Sequence, residues 1–395
     1  MVKAQEWVKR NLQGDPYIWA IVFVLALISL LVVYSAVSAP AFKYQDGNTE
    51  HYLFRHALML GIAISAMWVA HRINYSYYMR ITRLLLWISV PLLVYTYFAG
   101  EEINGAVRWI RIMGISFQPS DVAKLALVSS IAGMLAKRQH QIEDFKTSVF
   151  PVLLWVGVIC GIIALSDFST AFMIFITCLL VMFIGRVPLK YLFGLIGIGV
   201  VFIGIGLTVG DRGMTFATRI ADFMAIVTGS VGESEIPYQV QRANMAIAHG
   251  GFMGVGAGQG HERYFLPAGI SDYIYAILIE EHGMKLGLVV IFLYLALLWR
   301  GMQTVANSER AFGGLLSAGL SFSLVIQAFI NIAVVVGLGP VTGLPLPFIS
   351  MGGTSLLFTG ISFGIILSVS RGGGDEKSAL QKQYGNQLVD SKAFA

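Results

Sequence analysis

Charge is what this sequence has least of. Only 12% of its 395 residues are Asp, Glu, Lys or Arg, while 56% are hydrophobic and the mean hydropathy is +0.72. Soluble domains carry roughly 25% charged residues, so this complement is too small to solvate a globule of such size. Cysteine is nearly absent: Cys160 and Cys178 each lie inside an apolar run. That excludes a disulfide framework or a cysteine-built zinc site, which need more cysteines at closer spacing. No basic stripe accompanies the net charge of +5, because Lys and Arg come in short clusters. A nucleic-acid surface is therefore excluded. The short alternating segments of a membrane β-barrel are also missing, and no internal repeat is visible.

What is present is a series of solid apolar blocks, many near the ~20 residues that span a bilayer as a helix. Ten can be marked, at about 17–37, 53–70, 84–99, 120–135, 149–165, 168–184, 191–209, 273–298, 311–337 and 355–369. The expected fold is all-α: a polytopic membrane protein of about ten transmembrane helices. Residues 1–371 form a single transmembrane domain and 372–395 a polar cytoplasmic tail. The eighth block contains Glu280-Glu281-His282-Gly283, which predicts a break there. Lys3, Lys9 and Arg10 precede the first block as they would in a secretory signal. That block exceeds the ~7–15 apolar residues of such a signal, so it is read as an uncleaved first helix.

Cytoplasmic loops of membrane proteins are enriched in Lys and Arg. With the N-terminus inside, every connection assigned to the cytoplasm is basic: Arg72, Arg80 and Arg83; Lys137, Arg138 and Lys146; Arg186 and Lys190; Arg300 and Arg310. Both termini are then cytoplasmic. The large connection between helices 7 and 8, about 210–272, lies outside. It is too apolar for a disordered linker and too long for a bland one.

Several clusters could carry chemistry. Lys124 lies inside the fourth block with Asp121 three residues earlier, on one helix face. Intramembrane charges are costly and commonly functional, though a structural ion pair has the same spacing. Arg55, at the start of the second block, could simply snorkel to the interface. Residues 104–120 suit a short interfacial or re-entrant segment. Asp272, where the outer connection meets the eighth helix, could cap that helix or act as a base. The glycine run Gly250-Gly251-Phe252-Met253-Gly254-Val255-Gly256-Ala257-Gly258-Gln259-Gly260 has no strand before it, which excludes a dinucleotide fingerprint. Its N–H groups could gather an anion, or its glycines could allow close packing. His261-Glu262 lacks the second histidine of a zinc motif and is read as loop. The two prolines and two glycines of 343–355 demand irregular backbone, tolerated at membrane depth only inside protein or against a wet cavity.

Three stretches carry a resemblance. The first is Asn104-Gly105-Ala106-x-Arg108-Trp109 with Phe117-Gln118-Pro119-Ser120-Asp121-x-x-Lys124. The second runs through Tyr238-Gln239, Gln241-Arg242-Ala243, the glycine run, Phe265-Leu266-Pro267, Asp272-Tyr273-Ile274-Tyr275-Ala276 and Glu280-Glu281-x-Gly283. The third is Gly343-x-Pro345-Leu346-Pro347-Phe348-x-Ser350-x-Gly352-Gly353-x-Ser355. Together they resemble the SEDS family (shape, elongation, division, sporulation), and within it the FtsW branch, with RodA the close neighbour. There are departures: Asp121 stands for a usual Glu, Leu165-Ser166-Asp167-Phe168-Ser169-Thr170 for Q-P-D-x-G-T, Ala268 for a Glu and Met351 for a Tyr.

The resemblance implies a peptidoglycan glycosyltransferase of the bacterial cytoplasmic (inner) membrane, polymerising lipid II on the periplasmic side. The transfer is inverting, undecaprenyl pyrophosphate leaves, and the role is septal wall synthesis. It implies Asp272 as catalytic base, and Arg55, Arg108, Asp121, Lys124, Gln239, Arg242 and Ser350 as substrate-binding residues. No metal ligand is assigned among them; a divalent cation, Mg or Mn, could accompany the pyrophosphate. The implied partners are a class B penicillin-binding protein such as FtsI and other divisome membrane proteins. Rival readings are a lipid II flippase, a non-catalytic divisome scaffold, or a RodA-like role in elongation. The topology is testable directly. Single cysteines at Ser234 or Gln259 should react with an impermeant reagent added outside, and sites within 139–144 should not; the reverse pattern would invert the assignment.

Overall fold

The computed structural model describes residues 11–37, 49–103, 106–112, 115–209, 211–228, 236–266, 269–308 and 310–372. The basic N-terminus and all of the polar tail beyond Gly372 lie outside them. Within them the chain forms twelve α-helices. Eight are long and apolar enough to cross a membrane: α1 (Pro16–Ala36), α2 (Thr49–Arg72), α3 (Tyr75–Ala99), α4 (Pro119–Lys137), α5 (Phe150–Ser166, with one π-helical turn before it), α10 (Ile274–Asn307), α11 (Ala311–Val335) and α12 (Gly353–Gly372). Two further apolar helices, α6 (Phe168–Ile184) and α7 (Leu189–Val209), accompany them, in keeping with the expected number of about ten.

Burial sorts these helices. In α4, α11 and α12, 78%, 72% and 67% of the apolar window is buried, against 28% in α2, α3 and α10. The first three form the middle of the bundle. The start of α10, Ile274–Glu281, is buried too, while α2, α3 and the part of α10 beyond Gly283 line the outside. Their outward faces carry Phe54, Trp87, Phe292 and Trp299, all exposed. Water would tolerate such a surface poorly, whereas lipid is its natural solvent. Local signals set the helix starts. Asp15 accepts from the Tyr17 N–H (2.9 Å) with Pro16 at the first helical position, and the Asp15 carboxylate also pairs with Arg300 (2.6 Å), tying α1 to the far end of α10. Pro119 opens α4 in the same way.

The helical fold is the expected one, with two refinements. In and just before the stretch 104–120, expected as a short interfacial or re-entrant segment, β1 (Glu101–Ile103), β2 (Ala106–Ile112) and β3 (Ile115–Phe117) form an antiparallel meander in the order β1-β2-β3. The run Ala-Val-Arg-Trp-Ile-Arg-Ile is β-branched and aromatic, which suits a pleated surface. The large connection of 210–272 is also less a loop than a helical insert. It contains α8 (Asp211–Thr228) and α9 (Tyr238–Gly250). In α8, Ile220, Phe223, Met224 and Val227 follow helical spacing. In α9, Val240, Ala243, Ala246 and Gly250 form the buried face.

The predicted break in the eighth block is real. Gly283 sits at φ +81° inside α10, so the carbonyls before it lose their helical donors. The glycine run replaces them: Val255 N–H donates to Glu280 O (3.0 Å), Gly256 N–H to Glu281 O (2.9 Å), and Met284 N–H to Gly251 O (2.9 Å). The backbones approach so closely that a Cβ on Gly283 would lie 2.2 Å from Phe252 O. Close packing is thus the main use of the run. Immediately after the run, the protein's own Glu280 carboxylate accepts from the N–H groups of His261 (2.8 Å) and Glu262 (3.0 Å). Replacing Gly283 by Ala combines backbone strain with overpacking, each worth ~1–3 kcal/mol. Gly283→Ala should lower the melting temperature of the purified protein clearly, while Gly157→Ala, where nothing lies within 4 Å, should not. Equal melting of the two variants would contradict this packing.

Candidate functional site

Five elements converge on a cavity of about 150 Å³ at the end of the bundle where α4 begins. β2 supplies Arg108, the first turns of α4 supply Asp121 and Lys124, and the α5–α6 junction supplies Asp167. The residue pair before α10 supplies Ser271 and Asp272, and the irregular segment 343–353 closes the remaining side. This concentration of ionisable side chains in an apolar bundle requires partners, and the partners are present.

Arg108 Nη1 lies 2.5 Å from Asp167 Oδ2. Asp167 is held in turn as the N-cap of α6, accepting from the Thr170 N–H (3.1 Å) and the Thr170 hydroxyl (2.8 Å). Lys124 Nζ lies 3.7 Å from Asp121 Oδ1 and donates to Gln327 Oε1 (2.9 Å). Gln327 passes the link on, donating to Pro345 O (2.9 Å). One turn further along α11, Asn331 donates to Asp272 O (2.6 Å) and to Leu344 O (2.7 Å). Ser350 donates to Ser271 O (2.6 Å) and accepts from the Leu346 N–H (2.8 Å). The irregular backbone is therefore paired by side chains of α11 and by Ser350, as membrane depth demands.

Asp272 does not cap α10. Tyr273 occupies the cap position and no side chain caps the helix. The Asp272 side chain faces Gly343 instead, where a Cβ would lie 3.5 Å from its Oδ2 and 3.7 Å from Arg108 Nη2. A side chain at 343 would come between carboxylate and guanidinium, and φ of +71° at this position also favours glycine. Burial pushes the Asp272 carboxyl above the usual carboxylate range, with Arg108 opposing the shift.

The predicted residues fall into two groups. Arg108, Asp121, Lys124 and Asp272 line this cavity. Ser350 lies behind it as a backbone support. Arg55, Gln239 and Arg242 do not line it. Arg55 is exposed on α2 and Gln239 is half-buried at the start of α9. Arg242 pairs with Glu262 (3.3 Å) and lies over the rings of Phe265 and Tyr238. Glu262 is consequently no bland loop residue: it is buried in that pair. Four participants escaped sequence reasoning. Asp167 stands in a motif with three departures, at 165, 166 and 169. Gln327 and Asn331 are polar residues at i and i+4 in an apolar helix, a signal that was available. Arg219 of α8 donates to Val341 O (3.1 Å) and acts electrostatically on Asp272.

The matches to known proteins run the length of this architecture. The profile of the FtsW/RodA/SpoVE family, described as "Cell cycle protein", matches residues 15–373. The chain belongs to this family. Among its curated relatives, a "Probable peptidoglycan glycosyltransferase FtsW" of Geobacter sp. (strain M18) is 33% identical, over 91% of this chain and 98% of that one. "Stage V sporulation protein E" of Bacillus subtilis (strain 168) is 32% identical, over 89% and 95%. Among solved structures, a chain from "Structural coordination of polymerization and crosslinking by a peptidoglycan synthase complex" superposes with TM-score 0.70 at 22% identity, covering 91% of this chain and 98% of that one. Rod shape determining protein RodA of Thermus thermophilus gives TM-score 0.65 at 22% identity, covering 91% and 97%. At such identity the superpositions speak for the fold, that of a multi-pass membrane protein.

The raised Asp272 pKa has a thermodynamic consequence. Folding favours the protonated carboxyl, so this group's contribution to stability is present at low pH and lost as pH rises through the raised pKa. Asp272→Asn removes that loss. The melting temperature of the variant relative to the parent should be higher at pH 7 than at pH 4. A difference that is constant with pH, or that grows on acidification, would show that burial does not strain this carboxylate.

Proposed function

We propose that the chain is a peptidoglycan glycosyltransferase that polymerises lipid II at the Asp272 cavity. The observation that carries this reading is a half-buried carboxylate beside Arg108, across one glycine, in a cavity that also contains Lys124. The acceptor hydroxyl attacks the anomeric carbon of the donor sugar. Its proton passes to Asp272 as general base, the new C–O bond forms, and the bond to undecaprenyl pyrophosphate breaks with inversion. Pyrophosphate is already a good leaving group, so no protonating acid is needed. Arg108 and Lys124 stand where charge grows on that group, and Asp121, Gln327 and Asp167 position them. Arg219 adds a third cation at the rim. The cavity is smaller than the ~300–1,000 Å³ of ordinary small-molecule pockets. It would take the reacting atoms and a phosphate, with the sugars and lipid outside.

Among the described residues no three His, Cys, Asp or Glu side chains come together as metal ligands; a divalent cation carried on the pyrophosphate would need only one or two carboxylates, such as those of the cavity. No step is routed through such a cation. The names of the relatives, glycosyltransferase FtsW and a sporulation protein, support the reaction class and septal use. The solved synthase complex, whose name joins polymerisation to crosslinking, supports a class B penicillin-binding protein as partner within the cytoplasmic membrane. The basic connections support cytoplasmic termini and a periplasmic cavity.

Purified protein with its class B partner should convert lipid II into glycan strands resolvable on a gel, and the chain alone should do so poorly. Lipid II flipped across vesicles without any polymer, with or without the partner, would replace this reading by the flippase one.

A further inference from the structure

A second cavity lies at the opposite end of the bundle. From Asp121 to Lys137, α4 advances about 24 Å along its axis at ~1.5 Å per residue. There α3, α4 and the start of α11 enclose about 420 Å³, lined chiefly by Tyr75, Arg80, Arg83, Lys137, Arg310 and Phe312. Four of these six are cations, and no carboxylate is among the described lining residues. Tyr75 and Phe312 stack at 6.4 Å between ring centroids and form an apolar floor. Ser76 adds a hydroxyl, which accepts from Arg310 at 3.4 Å.

The positive-inside rule explains why basic residues occur at this end. It does not explain why three helices gather them around one concave volume. The neighbouring surface narrows the ligand class. Immediately beyond Arg83, α3 turns Leu84, Trp87 and Ile88 outward, at 63%, 64% and 47% exposure. These residues sit at helical spacing on one lipid-facing stripe. A cationic cup that opens onto an apolar stripe fits an amphiphile with an anionic head better than a soluble anion.

We propose that this cavity binds the phosphodiester headgroup of an anionic phospholipid from the leaflet opposite the Asp272 cavity, with the acyl chains along Leu84, Trp87 and Ile88. The guanidinium groups of Arg80 and Arg83 suit phosphate oxygens, and four cations can balance the two phosphodiesters of a cardiolipin. Neither the reaction nor the identity of its substrate enters this inference.

The test is native mass spectrometry of the full chain in detergent micelles, titrated with cardiolipin, with phosphatidylethanolamine and with inorganic phosphate. One cardiolipin per chain should be retained in preference to phosphatidylethanolamine, and millimolar phosphate should not displace it. All four cations are exposed, so Arg80→Gln/Arg83→Gln should fold, with melting as the check. That double variant should weaken cardiolipin retention by roughly 10- to 30-fold, as expected for two surface cations. Lys146→Gln/Lys190→Gln, on the same side but outside the cavity, should leave retention unchanged. Equal weakening by both double variants, or retention by Arg80→Gln/Arg83→Gln within about twofold of the parent, would overturn the site. Displacement by inorganic phosphate would make it a phosphate site and not a lipid one.

Discussion

An ionisable side chain inside a membrane bundle costs about 2.5–3.5 kcal/mol on insertion scales unless it is partnered, and this protein places several within one small cavity. Much of the architecture around α4 and α11 answers that constraint. Arg108 is paired with Asp167, and Asp167 is spent as the cap of α6. Lys124 is shared between Asp121 and Gln327. The backbone of the irregular closing segment, which lacks a ladder of its own, is held by Gln327, Asn331 and Ser350. Asp272 is held differently: its backbone carbonyl is bonded by Asn331 and its carboxylate by the Ser271 side chain, and the carboxylate otherwise faces the cavity and Arg108 across Gly343. The charges that surround it are fixed before any substrate arrives, which is what electrostatic catalysis requires.

The glycine run belongs to the same logic. Breaking α10 at Gly283 exposes backbone carbonyls that must find donors, and the run from Gly250 to Gly260 supplies them. The buried Glu280 carboxylate then fixes the loop that leads back to Leu266 and on to Ser271. Arg263, Glu281 and Ser35 extend the clasp to α1. The segment that leads into Asp272 at the mouth of α10 is thus tied to a helix break at Gly283, eleven residues further along the chain.

Much of this was legible in the sequence, and the failures have physical reasons. The apolar blocks gave the spans because lipid imposes a length. The break was legible because Glu-Glu-His-Gly cannot continue an apolar helix. Asp121 and Lys124 were found as a pair because helical spacing is local. The meander of 101–117 was missed because a short β-branched run between long helices carries too weak a signal. The helices of the large connection were missed because a long gap between apolar spans reads as loop until its amphipathic period is examined. Arg55, Gln239 and Arg242, which the resemblance assigns to substrate binding, lie away from this cavity, since residue type alone does not say where a side chain lands. Asp167, Gln327 and Asn331 were passed over because their role exists only across helices.

The central claim is that the Asp272 carboxylate accepts the proton of the attacking hydroxyl while the surrounding pairs hold the leaving group. The measurement that reaches it most directly is glycan-strand formation by Asp272→Asn, purified with its partner and shown to be folded. The substitution is nearly isosteric and leaves Arg108–Asp167 and Lys124–Asp121 intact, so lipid II should still bind. Loss of a positioned general base costs about 10²–10⁴-fold in rate, and polymerisation should fall by that order. Activity within about twofold of the parent, far short of that loss, would remove Asp272 from the mechanism and contradict the account.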